Sequence, residues 1–324
     1  MISDVWYKLI FSLDGRGCKI ASTFWEAKIQ NRLSGMRRAL ITVFIVGLVL
    51  VLSALYVIGD RLSGPALRSI GAPPPDLQAQ TVRIPTNSGE YLAGWFSRGN
   101  PGSGGVLLLH GVGADRRQVL DRARFLHREG YSALLVDLPA HGESSGARIT
   151  FGAREGKAVR TALNFLRGQL GPQEKIGVIG VSLGAASLVL AKLDQPPNAV
   201  VLESMYPTIT EAVANRLDLA VGPAARHFTT LLTWQLPLRL GIWPSELEPL
   251  TALPSLGSPV LIVSGDRDLH TTLAETKRLF QAASEPKDLW IVEGAAHVDL
   301  YAFSPEVYKS KISGFLSRYL RSSN

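Results

Sequence analysis

The chain has 324 residues, of which 46% are apolar and 19% are charged, with a net charge of +7 and a single cysteine. This length fits one large α/β domain with an appendage or two average domains, and the apolar content excludes disordered and fibrous proteins. One cysteine, Cys18, excludes an internal disulfide framework and any zinc or iron–sulfur site built on several cysteines.

The first recognisable element is an apolar run, Ala39–Gly59, of 21 residues without a charge. A helix of this length is about 31 Å long, which matches the hydrocarbon thickness of a bilayer. The run therefore predicts a transmembrane helix, with a helix buried in a protein core as the alternative. A cleaved signal peptide is a further alternative, although its apolar part is shorter, about 7–15 residues, and ends at a small-x-small site that is missing here.

Basic residues flank this run unequally. Four precede it closely and two follow it, namely Lys28, Arg32, Arg37 and Arg38 before it and Arg61 and Arg68 after it. The positive-inside rule therefore predicts a cytoplasmic N-terminus and an extracytoplasmic location for the rest of the chain. Residues 1–38 form a short cytoplasmic tail in this interpretation. An upstream mis-start covering residues 1–35 is the alternative.

The tail also accounts for most of the net charge. Residues 1–38 contain seven basic and three acidic side chains, which is more than half of the excess. The remainder is nearly balanced and has no basic run, so we expect no nucleic-acid partner.

The rest of the chain alternates between strand and helix patterns. Residues 60–79 contain Pro73–Pro75 and predict a semi-rigid tether that lifts a domain off the membrane. A hairpin with its turn at Asn87–Gly89 opens the domain. Apolar runs predict strands at 105–110, 132–137, 175–180, 198–203, 259–265 and 288–294. Helical spacing predicts helices at 115–129, 151–170, 183–193, 272–283 and 305–321. This order predicts one α/β domain, residues 80–324, with a mostly parallel sheet flanked by helices and reactive residues at the carboxyl ends of the strands.

The strand 175–180 runs into the sequence Gly180-Val181-Ser182-Leu183-Gly184, a G-x-S-x-G pattern followed by a helix. In this strand–turn–helix context the pattern is typical of a nucleophile elbow. Glycines flank the serine because side chains there would clash with the neighbouring strand and helix. The pattern alone arises by chance, so its position after a buried strand carries the prediction that Ser182 is a nucleophile.

A nucleophilic serine needs a base and an orienting acid, which follow it in the chain order Ser, Asp/Glu, His. His297 follows the last predicted strand and is the candidate base, with a surface loop histidine as the alternative. Asp268 follows the preceding strand and is the first candidate acid. Asp266 and Glu203 are the alternatives, and Asp266 could instead tie its loop.

An oxyanion hole is the third requirement. One donor is the backbone N–H of the residue after the nucleophile, Leu183. The second is predicted in the loop His110-Gly111-Val112-Gly113, where glycines allow close backbone approach, and Val112 N–H is the candidate. We expect His110 to be structural.

Together these motifs resemble the α/β-hydrolase superfamily over about residues 80–321. The resemblance rests on LLLHGVG, DLPAHGESSG, GVSLG, SGDRD and GAAHVDLY, taken in chain order. Within the superfamily, the chain resembles bacterial membrane-anchored members related to serine aminopeptidases and carboxylesterases. The resemblance implies Asp268 as the acid and a structural role for His141. Ala140 stands where the family has glycine, a departure that affects loop geometry.

The segment 204–258, between two predicted strands, is too long for an ordinary connection and predicts a helical lid. We expect its aromatic residues either to line an acyl or aryl pocket or to pack the lid onto the core. They are Tyr206, Phe228, Trp234 and Trp243. The apolar lid favours a small ester or amide substrate with a hydrophobic part.

The sequence therefore predicts a membrane-anchored serine hydrolase, with carboxylic ester hydrolysis favoured and no cofactor or metal ion expected. A peptidase or thioesterase using the same three residues is the alternative. A catalytically silent hydrolase-fold scaffold is another, although it predicts a broken triad. A nucleotide-binding fold is disfavoured because no G-x-G-x-x-G or Walker pattern follows the early strands.

Overall fold

The computed structural model describes residues 15–86 and 89–321, with the side chains of residues 24–86 and 89–321. The chain divides into two compact units, Met1–Val57 and Ile58–Asn324. Helix α1, Gly15–Leu62, contains the apolar run predicted to span a membrane. The candidate membrane span Phe24–Leu62 within it contains an 18-residue window with a mean hydropathy of 2.8 and is long and apolar enough to cross a bilayer. Of the predicted tail, residues 1–14 lie outside the described residues.

The second unit contains an eight-stranded sheet in the described part of the chain. Its strands are β2 Ala79–Pro85, β3 Tyr91–Ser97, β4 Gly105–Leu109, β5 Ser132–Val136, β7 Ile176–Val181, β8 Ala199–Glu203, β9 Val260–Gly265 and β10 Lys287–Val292. They lie in the order β10-β9-β8-β7-β4-β5-β3-β2. A separate two-stranded ladder joins β1, Ala66–Leu67, to β6, His141–Gly142. Neighbouring strands from β10 to β5 pair in parallel, whereas β3 pairs antiparallel with both β5 and β2. The predicted hairpin is thus present, and its turn residues Asn87 and Ser88 lie outside the described residues.

Helices cover both faces of the sheet. They are α2 Leu120–Arg128, α3 Ala153–Gln169, α4 Leu183–Val189, α5 Ile209–Val221, α6 Thr229–Thr233, α7 Gln235–Leu240, α8 Pro249–Ala252, α9 Leu273–Ala282, α10 Leu300–Phe303 and α11 Pro305–Leu320. Every residue of β4, β5 and β8 is buried, as expected for central strands covered on both sides. The α/β-hydrolase architecture predicted from the sequence is confirmed.

Two apolar clusters separate the layers. One contains buried residues of α3 and α4, and the other contains buried residues of α2 and α11. Successive side chains of each strand supply them alternately: Leu107 and Leu109 belong to the first cluster, whereas Val106 and Leu108 belong to the second. These layers hold the strands rigidly, so the loops at their carboxyl ends have fixed starting points.

Candidate active site

Ser182 occupies a sharp turn between β7 and α4. Its backbone has φ 50° and ψ −106°, an unusual conformation for a residue other than glycine that costs about 1–3 kcal/mol. The flanking glycines are required by close packing. A Cβ on Gly180 would lie 2.7 Å from the Ala185 backbone, and one on Gly184 would lie 2.7 Å from the Leu109 carbonyl oxygen. The clash expected from the sequence is therefore the reason for both glycines.

The Ser182 hydroxyl is buried and unpaired. The residue is 3% exposed, and its Oγ has no hydrogen-bond partner in the described part of the chain. Leaving a buried hydroxyl unpaired costs about 1–3 kcal/mol. A fold tolerates that cost most readily where the group has a chemical task, so the hydroxyl is a candidate reactive group.

Asp268 and His297 are brought together by the ends of two neighbouring strands. Asp268 follows β9, His297 follows β10, and His297 Nδ1 lies 2.7 Å from Asp268 Oδ2. The Asp268 carboxylate also accepts hydrogen bonds from the N–H groups of His270 and Thr271 and from the Thr271 hydroxyl, at 2.8, 2.9 and 2.8 Å. The carboxylate is thus fully engaged, and one of its bonds orients the imidazole ring.

The charge state of Asp268 follows from these contacts. Burial would raise the pKa of its carboxyl group, but the hydrogen bonds from His297 and Thr271 outweigh burial and lower the pKa below the ordinary value of 3.8. The group is therefore an anion at neutral pH. An anion at this point favours the His297 tautomer with a proton on Nδ1, which leaves Nε2 free to accept one.

Three acids were candidates from the sequence, and only Asp268 contacts His297. Asp266 is exposed, and its Oδ1 accepts a hydrogen bond of 2.7 Å from the Gly294 N–H, so it ties the two loops together. Glu203 is buried in an ion cluster, where its Oε2 lies 2.6 Å from Arg122 Nη2. No hydrogen bond joins Ser182 to His297 within residues 24–86 and 89–321.

The loop after β4 lies against Ser182. A Cβ on Gly111 would be 3.6 Å from the Ser182 Cβ, so this glycine faces the candidate nucleophile directly. The next residue, Val112, is 39% exposed, and its N–H has no backbone acceptor among the described residues. Leu183 is the first residue of α4, where an N–H has no acceptor within the helix. Two backbone donors are therefore available on the two segments that flank Ser182.

His110 and His141 hold this loop in place. Leu138 N–H donates to His110 Nε2 at 2.9 Å, and His110 Nδ1 lies 2.7 Å from the Gly111 carbonyl. Gly113 N–H donates to His141 Nε2 at 3.0 Å. Burial, assisted by the neighbouring His141, lowers the pKa of His110 to about 3, and burial also lowers the pKa of His141. Both rings are therefore neutral, and both ring nitrogens of each form hydrogen bonds, the second contact of His141 being from Nδ1 to the Pro139 carbonyl.

The segment predicted as a tether also contacts the loop after β4. Its β1 ladder pairs with the loop that carries His141. Arg68 Nη2 donates to the Gly113 carbonyl at 2.8 Å, and its Nη1 donates to Asp115 Oδ2 at 3.2 Å. Residues 66–71 therefore lie along the domain and touch the loop beside Ser182, a contact that had no signal in the sequence.

A second contact fixes the segment further along. Glu143 Oε1 accepts hydrogen bonds from the N–H groups of Ile70 and Gly71, at 2.9 and 3.0 Å. Burial opposes ionisation, but the Gly71 N–H and the Arg116 guanidinium lower the pKa of Glu143 to about 2. The carboxylate remains charged, which strengthens both bonds.

Two further residues of the site were missed by sequence reasoning. The His270 ring centroid lies 4.9 Å from that of His297, and Thr271 donates its hydroxyl to Asp268. Both follow Asp268 closely in the sequence. Their proximity to it was the available signal, but nothing in the local pattern indicated which way either side chain faces.

The lid, residues 204–258, contains α5, α6, α7 and α8. Tyr206 is buried and donates its hydroxyl to the Phe151 carbonyl at 2.9 Å. Trp234 and Trp243 are 69% and 62% exposed, so the alternative in which the lid aromatics pack onto the core is wrong for these two. They lie on the outer surface because other lid residues, such as Leu236 and Leu247, fill its inner face.

The described residues contain no group of three or more His, Cys, Asp or Glu side chains able to hold a metal ion.

Comparison with known proteins identifies the family of this chain. Residues 106–309 match the model of the Alpha/beta hydrolase family. The chain belongs to this family. An uncharacterized protein of Mycobacterium tuberculosis is 32% identical over 73% of this chain and 78% of its own length. The uncharacterized protein YqkD of Bacillus subtilis is 23% identical over 72% of this chain and 77% of its own length.

Solved structures show the same fold. The esterase Pf2001 of Pyrococcus furiosus is similar, with a TM-score of 0.65 and 24% identity over 80% of this chain and 98% of that one. An esterase of Exiguobacterium antarcticum has a TM-score of 0.55 and 15% identity over 74% of this chain and 100% of that one. The family and its fold support hydrolase activity.

Proposed function

We propose that the chain is a membrane-anchored serine hydrolase that cleaves carboxylic esters through Ser182, His297 and Asp268. The observation that carries the proposal is the combination of a buried, unpaired hydroxyl at a strained elbow with a histidine oriented by a buried carboxylate. Hydroxyl, imidazole and carboxylate groups in these environments are the parts that nucleophilic acyl transfer needs.

The reaction proceeds in two halves. Ser182 Oγ attacks the ester carbonyl carbon while His297 Nε2 takes its proton, and a tetrahedral oxyanion forms. The oxyanion accepts hydrogen bonds from Leu183 N–H and Val112 N–H. It collapses to an acyl-enzyme when the alcohol leaves with the proton from His297. Water then attacks the acyl group, again with His297 as base, and the carboxylic acid and free Ser182 are released.

Asp268 supports both halves electrostatically. His297 becomes a cation when it takes the serine proton, and the neighbouring carboxylate stabilises that cation. The N–H groups of His270 and Thr271 donate hydrogen bonds to Asp268 Oδ1 and hold the carboxylate in one orientation during turnover. The imidazole is thereby ready to act without reorganisation at the moment of reaction.

The surroundings of the triad favour an apolar substrate. An exposed apolar side chain belongs to each of the three loops that meet there, namely Val112, Leu269 and Val298. Apolar contacts of this kind bind the hydrocarbon part of an ester and leave the carbonyl to the polar groups. This supports a carboxylic ester with a hydrophobic part as the substrate.

The anchor in this proposal is the apolar run 39–59. It lies inside the candidate span Phe24–Leu62, which contains an 18-residue window with a mean hydropathy of 2.8 and has side chains that are almost all exposed. A long apolar helix with exposed side chains needs an apolar solvent. The excess of basic residues before the run supports a cytoplasmic N-terminus and an extracytoplasmic hydrolase domain.

A fluorophosphonate probe tests the proposed nucleophile. The full chain in detergent should be labelled, and Ser182→Ala should not. Ser264→Ala is a matched control, because it also removes a buried hydroxyl without a partner among the described residues and should keep the labelling.

The outcomes separate the competing functions. Labelling of Ser182→Ala would refute the assigned nucleophile, and failure of the wild-type chain to react or turn over would favour a catalytically silent scaffold. Parallel turnover assays with p-nitrophenyl esters, thioesters and aminopeptidase substrates distinguish esterase from thioesterase and peptidase, and faster amide or thioester turnover would overturn the ester assignment.

A further inference from the structure

The outer face of the lid carries an apolar stripe. Leu231, Trp234 and Leu238 are 46%, 69% and 89% exposed. They belong to α6, α7 and the residue between them, whose backbone is also helical, with φ −66° and ψ −14°. Spacings of three and four residues place the three side chains on one face of this helical segment. We call these three residues the lid stripe.

The opposite face of the same segment is buried. Leu232, Thr233 and Leu236 are 6%, 4% and 8% exposed. The segment is therefore held on the domain by one side and presents the lid stripe on the other. Contiguous exposed apolar surface of this kind is uncommon on soluble proteins and marks a site that contacts another apolar phase or partner.

A third side of the segment is joined to the point where the apolar run ends. Arg239 Nη1 lies 3.1 Å from Oδ1 of Asp60, the first charged residue after residues 39–59. Asp60 Oδ1 also lies 2.7 Å from Arg148 Nη1, which fixes it to the domain. All three residues belong to the compact unit Ile58–Asn324. The lid is thus attached beside the residue at which the chain would leave a bilayer.

The lid stripe lies close to Arg239, the residue that contacts Asp60. At 1.5 Å per residue, Leu231 lies about 12 Å from Arg239 along the helical segment, and Leu238 is the neighbour of Arg239. When residues 39–59 are inserted in a bilayer, the bilayer surface lies near Asp60, because Asp60 directly follows them in the chain. The interfacial region of a bilayer favours Trp and accepts the apolar face of a helix lying in its plane.

We propose that the lid stripe docks into the interfacial region of the same bilayer that holds residues 39–59. The proposal rests on the membrane anchor proposed above. A bilayer is favoured over a protein partner because the anchor brings it to this face in every molecule, at no cost in translational freedom. The hydrolase domain is then held to the membrane at two points, the anchor and the lid.

Site-specific quenching tests this docking in the full chain. Cys18 is replaced by Ser, and a single cysteine labelled with an environment-sensitive fluorophore is introduced as Leu238→Cys, Val307→Cys or Val49→Cys. Each protein is incorporated into phosphatidylcholine nanodiscs with and without spin-labelled lipid. Val307 is the matched control, because it is an exposed aliphatic residue, 48% exposed, on α11, whose buried residues belong to a different apolar cluster from those of the lid.

We expect spin-labelled lipid to lower the emission at position 238 by about twofold or more, since a docked stripe lies at the headgroup–acyl boundary. Emission at position 307 should be unchanged. Because Leu238 is almost fully exposed, its replacement removes no packing and the variant should fold.

The remaining outcomes separate the two proposals. If position 49 is quenched and position 238 is not, the anchor stands and the docking of the lid is refuted. A shift of the emission at position 238 toward shorter wavelength without quenching would assign the lid stripe to a protein contact and would also refute docking. If position 49 itself is not quenched, the anchor fails and the docking proposal fails with it.

Discussion

Replacing Gly184 by Ala should disable the site by moving one helix. A Cβ at this position would lie 2.7 Å from both the Cβ and the carbonyl oxygen of Leu109 and 2.8 Å from the carbonyl oxygen of His110. Two of these three atoms are backbone atoms and cannot rotate away. Since ordinary carbon contacts are about 3.5–4.0 Å, the start of α4 must move by about 0.8 Å or more.

The expected magnitudes follow from that displacement. Overpacking costs about 1–3 kcal/mol, and the better helix propensity of Ala offsets about 1 kcal/mol of this, so the free energy of unfolding should fall by up to about 2 kcal/mol. Ser182 immediately precedes α4 and Leu183 is its first residue, so both move with it. A misplacement of this size should lower kcat/KM by about 10²-fold.

The measurement compares two variants of identical chemistry. Ester turnover and denaturation in detergent are followed for Gly184→Ala and for Gly314→Ala, which lies in α11 with no heavy atom within 4 Å of a new Cβ. The control should be more stable by about 0.5–1 kcal/mol and fully active. Equal turnover by Gly184→Ala and the wild type would refute the packing argument for the elbow.

Two other predictions concern the partners of the site. Asp268→Asn should lower kcat by about 10³–10⁴-fold, because the His297 cation loses its counter-ion; near-normal turnover would contradict the role of Asp268. Since the folded pKa of Asp268 lies below 3.8, its stabilising effect is present above that pH and is lost as the pH falls through the folded pKa. The free energy of unfolding should therefore decrease less between pH 7 and pH 3 in Asp268→Asn than in the wild type, as measured by denaturation at each pH. Arg68→Ala should lower kcat by about tenfold and change KM little, because the loop that carries Val112 loses its bond to the Gly113 carbonyl. Arg68→Lys should restore only part of the lost kcat, since Lys does not reproduce the two contacts of the guanidinium group. An unchanged kcat in Arg68→Ala would show that the segment carrying Arg68 does not position the loop.

Local patterns in the sequence determined much of the fold. Runs of buried aliphatic residues predicted the strands, and the structure places them within one or two residues of the expected bounds because a strand covered on both faces needs an uninterrupted apolar sequence. Ser182 and His297 were predicted as site residues for a related reason. Each follows such a strand directly, and the parallel sheet brings those ends to one edge.

The choice of acid needed more than a local pattern. Asp266 and Asp268 stand two residues apart on the same loop, and their spacing alone did not decide between them. In the structure Asp266 accepts a hydrogen bond from Gly294 N–H, whereas Asp268 accepts one from His297. The difference comes from how the loop after β9 packs on the loop after β10, which is a contact between distant parts of the chain.

The sequence by itself therefore determined the α/β order, the elbow at Ser182 and the apolar run 39–59, because each is written in consecutive residues. Only the tertiary structure decided that Arg68 braces the loop beside Ser182 and that Trp234 faces outward from the lid. Arg68 and Gly113 are 45 residues apart, and a side chain's exposure depends on what the rest of the fold places against it. Such contacts are set by packing between elements, which no short stretch of sequence encodes.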